Sequence, residues 1–403
     1  MFASEFQEGF GTWMLGYAPF GGGEVGEIAA VAAEVGDGGD DAFHQAFVGL
    51  GDRLVAEADT AAGAGHRASA SEGYLRASVA YATANRPLFG TPVDPRLLVT
   101  HRRARAAFEA GLALRSTPAL AFDIPFEDAV MRSYLLPAEG CENERRPLIV
   151  LVNGYDATAA DLYFASGVAA GRRGYHCLIF EGPGQGSTLY EQGIPLRPDF
   201  ERVVSAVIDH VADQAIVDED RIVVSGWSLG GHLAPRAASG DPRVVACIAD
   251  PGQADLGAGL GGFLRLLGAT EDEARDPLNL DDAAAARLMA VIEGDRRLRW
   301  SVVQRGFWAN GVTDLRSFLR RTAEFTLRDR LDRIRCPVLL TRAENDPLAA
   351  GVGAFAVALD AAGVHTTVID FAAAEGAGMH CEMMNRSLLN RRVLDWLDDV
   401  LAP

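Results

Sequence analysis

The sequence predicts an α/β protein: a mostly parallel sheet flanked by helices, with an N-terminal helical cap domain ahead of it. Three observations predict this. Beyond the first ~115 residues, short apolar runs alternate with amphipathic stretches, as expected for parallel strands covered on both faces. Before that point the apolar spacing is helical and lacks β-branched alternation. Between the two regimes, Arg115-Ser-Thr-Pro118 reads as a boundary.

Taken in order, Ala42–Glu57, Ser71–Ala84 and Leu97–Leu114 each predict an amphipathic helix, while Gly36–Asp40 and Thr60–Gly65 read as loops. Ala121–Pro125 and Met131–Leu136 read as paired strands. Six further strands are expected at Leu148–Asn153, His176–Glu181, Ile222–Ser225, Val244–Ala249, Val338–Thr341 and Thr366–Phe371. Helical stretches at Asp161–Ala170, Asp199–Ala212, Gly231–Ala238 and Gly351–Ala361 lie between most of them, and Asn385–Leu401 closes the chain as an amphipathic helix. One long helical excursion, Gln253–Arg335, interrupts the alternation where it would cover the strand ends. The expected division is a cap over 1–118 and a core over 119–403, with an insertion at about 253–335.

Composition narrows the function. The formal charge is −18, and every positive side chain is arginine, because the chain has no lysine. That acidity opposes binding to nucleic acid or to anionic membranes, both of which need basic clusters. No apolar run approaches the ~18–20 residues of a membrane span, and the acidic first twenty residues do not read as a secretory signal. Five scattered cysteines without a Cys-x-x-Cys pair fit reduced thiols in a cytoplasmic protein. The abundance of Ala, Gly and Arg without lysine suggests a GC-rich, bacterial genome.

The chemistry concentrates in Arg221-Ile-Val-Val-Ser-Gly226-Trp227-Ser228-Leu229-Gly230-Gly231. An apolar strand runs into Gly-x-Ser-x-Gly, and a helix-compatible stretch follows. A serine on so tight a turn needs small neighbours two positions away on each side, and Gly226 and Gly230 provide that room. The pattern alone is also what a glycine-rich turn on a nucleotide-binding sheet looks like; partners downstream, in the order serine, acid, histidine, separate the two readings. The acid is Asp346, in the loop that ends the strand-like run Arg335-Cys-Pro-Val-Leu-Leu-Thr-Arg-Ala343-Glu-Asn-Asp346-Pro347, with Glu344 and Asp250 as alternatives. The base is His380, the one histidine between the last strand and the final helix. The backbone N–H groups of Leu229 and Tyr155 are the candidate oxyanion donors, the latter from the loop after Leu148–Asn153. Trp227, Asp250 and Met379, which adjoin these elements, are the candidate substrate-binding residues.

Other motifs are set aside. Gly21–Gly26 fits Gly-x-Gly-x-x-Gly but has no strand before it, so it reads as a flexible loop. Glu181-Gly-Pro-Gly-Gln-Gly186-Ser187 lacks the lysine of a phosphate loop and is expected to shape one wall of the site. His101–Arg105 reads as a solvated basic face and His232 as a packing residue. No histidine–carboxylate cluster has metal-site spacing, and the pattern calls for no cofactor.

With these pieces placed, the chain resembles one branch of the α/β-hydrolases. That branch contains 2,6-dihydroxypseudooxynicotine hydrolase, FrsA-like esterases and fungal hydrolases that shorten polyketide pigment precursors. The likeness rests on Ser69-Ala-Ser-Glu-Gly-Tyr-Leu-Arg-Ala-Ser78, Gly182-Pro-Gly-Gln-Gly186, Arg197-Pro-Asp-Phe200, Gly226-Trp-Ser-Leu-Gly-Gly231, Arg335-Cys-Pro-Val338 and Glu375-Gly-Ala-Gly-Met-His380-Cys381. The resemblance implies an α/β-hydrolase fold whose core and helical cap hold a small-molecule substrate between them. It implies ester hydrolysis, or cleavage of a carbon–carbon bond next to a ketone, on aromatic or polyketide substrates, and a homodimer. The chain departs from the group at Glu181, Met379 and Asn153. Two other readings stay open: a lyase that uses His380 as base without a covalent serine step, and a non-catalytic binding protein.

Overall fold

A computed structural model of the chain describes residues 1–402. Eight strands form one sheet in the order β1-β2-β4-β3-β5-β6-β7-β8. They are β1 (Leu120–Phe126), β2 (Ala129–Leu136), β3 (Arg146–Val152), β4 (His176–Phe180), β5 (Val217–Trp227), β6 (Val244–Asp250), β7 (Val338–Ala343) and β8 (Thr366–Phe371). Each coincides with a run expected from sequence. The β1–β2 and β2–β4 pairings are antiparallel, and all others are parallel. The central strands β3, β4 and β6 are almost wholly buried, which is why they read as continuous apolar runs and not as alternation. The chain order reverses between β4-β3 and β5-β6, the place where open α/β sheets bind ligands beyond their strand ends. Register puts Val152 opposite Gly226 and Trp227 opposite Asp250, so the loops after β3, β5 and β6 emerge side by side.

Everything before β1 is helical, with long helices at Asp40–Gly63, Arg67–Ala84 and Pro95–Leu114. Shorter helices occupy Glu5–Gly11, Trp13–Tyr17 and Val25–Val35. The first of the long helices runs through Thr60, which corrects the loop expected at Thr60–Gly65: Leu54 and Ala58 are buried and extend its apolar face, overriding the small and polar residues that follow. These helices do not close on a core of their own. Met14, Tyr17, Phe43 and Phe47 join Ile149, Ile179 and Val223 of the sheet in one apolar cluster. Truncating Phe47 there would cost about 3–5 kcal/mol.

The excursion after β6 leaves and rejoins the core at a narrow base, where Asp255 and Thr326 form an isolated antiparallel bridge. Its helices, including Leu260–Leu266, Asp282–Gly294 and Leu315–Ala323, enclose a separate apolar cluster around Leu264, Leu288 and Leu319. Arg299–Phe307 is a π-helical segment. Among the described residues, no helix is long and apolar enough to cross a membrane.

Candidate active site

Ser228 stands on the turn between β5 and the helix Gly230–Ala238, with a left-handed φ of 60°. A serine holds that conformation only where its surroundings over-determine it. Here its N–H donates to the Asp250 carbonyl at 2.6 Å, its carbonyl accepts from Gly231 N–H at 2.8 Å, and the Gln253 amide donates to the same carbonyl at 2.8 Å. Glycine at 226 is obligatory, because a Cβ there would lie 1.8 Å from the Gly230 carbonyl oxygen.

His380 and Asp346 arrive from the loops after β8 and β7. The two loops are joined by Asn345 N–H donating to the Gly378 carbonyl at 2.8 Å. His380 Nε2 lies 2.9 Å from Ser228 Oγ, and His380 Nδ1 lies 2.7 Å from Asp346 Oδ2. A carboxylate only accepts, so Nδ1 carries the proton and Nε2 is left to accept from the serine hydroxyl. The Asp346 carboxylate is 1% exposed, and its other oxygen accepts Leu348 N–H at 2.9 Å. Of the two alternative acids, Glu344 accepts Ala373 N–H at 2.7 Å.

Asp250 is the other alternative, and its side chain is already engaged by protein groups. It is buried, Thr341 donates to one oxygen at 2.9 Å, and Arg386 pairs with the other at 2.9 Å. Beside it lies Glu382, whose carboxyl is held well above the usual carboxylate range, first by burial and then by the Asp250 charge. Cys381 and Glu382 are both left-handed, at φ 53° and 47°, so the chain turns sharply just past His380. The Cys381 thiol comes within 3.4 Å of His380 Nε2, but burial, and after it Asp250, pushes its pKa well up, which keeps it protonated.

The loop after β3 brings Gly154 against the serine: a Cβ at 154 would sit 2.9 Å from Ser228 Cβ. Two amide side chains fix this loop. Asn153 donates to the Ala157 carbonyl at 2.7 Å, and Gln185 donates to the Asn153 carbonyl at 2.9 Å. The Leu229 and Tyr155 backbone N–H groups donate to no acceptor among the described residues. The Glu181–Ser187 segment therefore stands behind this loop and braces it. Glu181 accepts Ser187 N–H and Oγ–H, both at 2.7 Å, and His101 Nε2 meets Ser187 Oγ at 3.0 Å. His101 is 3% exposed, which corrects the solvated face expected for 101–105 at that residue; Arg102 and Arg103 do face solvent, and Arg102 and Arg105 pair with Glu191.

The remaining candidates divide. Trp227 is buried, with its ring 5.6 Å from that of Trp13 and beneath the Arg386 guanidinium. Met379 is 54% exposed beside His380. His232 is fully buried against Phe325, its Nδ1 3.0 Å from the Gln253 carbonyl, and burial pulls its pKa down to about 4. Among the described residues, no group of three or more His, Cys, Asp or Glu side chains is placed to hold a metal ion. Sequence reasoning did not find Gln253, Gln185 or Arg386. Each acts through a contact to backbone or side chains distant in the chain, and none belongs to a local pattern.

A model of the Alpha/beta hydrolase family matches residues 149–387, more than half of the chain, which therefore belongs to that family. Among its relatives, Hydrolase LUC6 of Fusarium sp is 30% identical, over 96% of this chain and 95% of that protein. The 20-hydroxy-prefusarin hydrolase FUS2 of Gibberella moniliformis is 30% identical over 100% and 98%. Among solved structures, the 2,6-dihydroxy-pseudo-oxynicotine hydrolase superposes with a TM-score of 0.73 at 22% identity, covering 96% of this chain and 95% of that one. That likeness shows a shared fold. The named relatives are fungal, and they give no support to the bacterial source expected from composition.

Proposed function

We propose that the protein is a serine hydrolase that cleaves an ester, or a carbon–carbon bond beside a ketone, in a small aromatic or polyketide-like substrate. The single observation that carries this reading is the unbroken relay from Asp346 Oδ2 through His380 to Ser228 Oγ, with contacts of 2.7 and 2.9 Å. In this mechanism Ser228 Oγ bonds to the substrate carbonyl carbon as His380 Nε2 takes the hydroxyl proton. The carbonyl oxygen becomes an oxyanion, received by the unengaged N–H groups of Leu229 and Tyr155. His380 returns the proton to the departing alkoxide or carbanion, and water then repeats the sequence to release the acid. Trp13, backed by the buried Trp227 and with Met379 at the rim, supplies a wall for a flat apolar substrate. The relatives named as hydrolases, one of them of 20-hydroxy-prefusarin, favour this class.

The test is a fluorophosphonate probe read by intact mass on the wild type and on Ser228→Ala. One adduct that disappears in the variant is expected. A folded wild type that takes no adduct would overturn the nucleophile and leave His380 as a base for elimination.

A further inference from the structure

Arg305 lies on the π-helical segment Arg299–Phe307, a geometry that recurs at functional sites. Its guanidinium is 4.9 Å from the ring centre of Tyr155 and 4.8 Å from that of Trp300. Tyr155 follows Gly154, the residue in contact with Ser228. The arginine is thus stacked on the side chain of the loop read as the oxyanion loop, next in the chain to the residue that faces Ser228.

The position is walled by aromatics. The Phe10 ring lies 4.6 Å from Trp300, and on the same N-terminal stretch Trp13 lies 6.4 Å from His380. Phe10, Trp13, Tyr155, Ser228, Arg305 and His380 are all partly accessible, between the N-terminal helices, the excursion and the strand ends. The Tyr155 phenol has its pKa raised, first by burial and with Arg305 pulling the other way.

Among these groups, Arg305 is poorly satisfied. Its Nε is buried without a hydrogen-bond partner, and its side chain is 27% exposed. The nearest carboxylate, Asp156, is 3.7 Å from its NH1 and already binds Arg86 at 3.0 Å. Arg86 in turn also holds Asp161, at 3.2 Å. A guanidinium offers five donors in a planar fork that suits an oxyanion. Stacking on two rings orients that fork without using its donors.

Resting on the hydrolase reading for where substrate lies, we infer that Arg305 is a specificity-determining residue. It engages a delocalised oxyanion (a carboxylate or an enolate) carried on a planar conjugated body stacked among these rings. The neighbouring Asp156 disfavours a second negative charge, so one oxyanion group per ligand is the class expected.

The experiment compares isosteric probes that differ in charge and are not turned over: 2-naphthoate and 2-naphthamide, titrated calorimetrically into the full chain. The wild type is expected to bind naphthoate about tenfold more tightly or better, Arg305→Gln to bring the ratio near one, and Arg305→Lys to give an intermediate value. A merely structural arginine would weaken both probes alike and leave the ratio standing, which would overturn the assignment. So would a wild type that binds naphthoate no better than naphthamide, or not at all, a result that needs no folded variant. Since binding is read without turnover, such a failure is separate from a missing adduct at Ser228, which would overturn the hydrolase reading instead.

Discussion

Arg386 and Asp250 form a buried ion pair, NH1 to Oδ2 at 2.9 Å, that touches both sides of the candidate site. The same NH1 donates to the Cys381 carbonyl at 2.7 Å, just past His380, while the Asp250 carbonyl accepts Ser228 N–H at 2.6 Å. The other arms of the guanidinium reach the Ala165 carbonyl and Ser166. One side chain, 1% exposed, therefore ties the serine turn, the histidine loop and the helix after β3 into one unit.

Removing one partner of such a pair leaves a buried charge without compensation. Arg386→Met is expected to lower stability by about 3–5 kcal/mol and to slow fluorophosphonate labelling of Ser228 by about tenfold. Adding Asp250→Asn should recover part of the stability, read as the urea midpoint. A single variant as stable as the wild type would contradict this account.

Asp346→Asn preserves shape but presents an amide donor that favours the wrong imidazole tautomer. Turnover is expected to fall by about 10⁴-fold with KM little changed, as measured on any ester that the wild type hydrolyses.

Gly154→Ala places a methyl group 2.9 Å from Ser228 Cβ and from the Trp227 carbonyl oxygen. Its effect should be mainly on turnover, by about 100-fold. Gly226→Ala, with a clash of 1.8 Å against the helix backbone, should mainly impair folding. Comparing kcat with the melting temperature in the two variants tests that division.

Glu382 carries a pKa raised above 4.5 by burial and by Asp250. For a raised group, the folded form keeps a proton that the unfolded chain releases. Its stabilising contribution is thus full below the ordinary carboxylate pKa and is lost as pH climbs above it. Glu382→Gln keeps the donor and removes the titration. Melting curves at about pH 5 and about pH 9 should show the variant gaining on the wild type at the higher pH, by about 2 °C or more. Parallel curves would contradict the protonated state.

The central strands were legible because their burial makes them apolar runs of fixed length, and Gly226-Trp-Ser-Leu-Gly230 was legible because a tight turn leaves no alternative to glycine. The helix through Thr60 was not, since its continuation depends on Leu54 and Ala58 packing and not on local preference. Nor were the burial of His101 and the ion pair of Asp250. Both look like ordinary polar residues in sequence, and only the fold supplies Ser187 and Arg386 as their partners. Arg305 gave no signal at all, for its place depends on the ring of Tyr155, contributed by a distant segment, as well as on that of neighbouring Trp300.

The excursion encloses its own apolar cluster above the Asp255–Thr326 bridge and packs on the N-terminal helices through Trp300 and Trp308, whereas those helices share their cluster with Ile149 and Ile179 of the sheet. The two coverings thus have unequal evolutionary freedom. A base this narrow lets the part around Leu264, Leu288 and Leu319 be lengthened, trimmed or exchanged between descendants without uncovering the sheet, while Trp300 and Trp308 stay matched to Leu88 and Phe89. The N-terminal helices can drift only in step with the strands beneath them. New substrates should therefore be acquired chiefly by remodelling the stalked segment, with the N-terminal roof inherited almost unchanged.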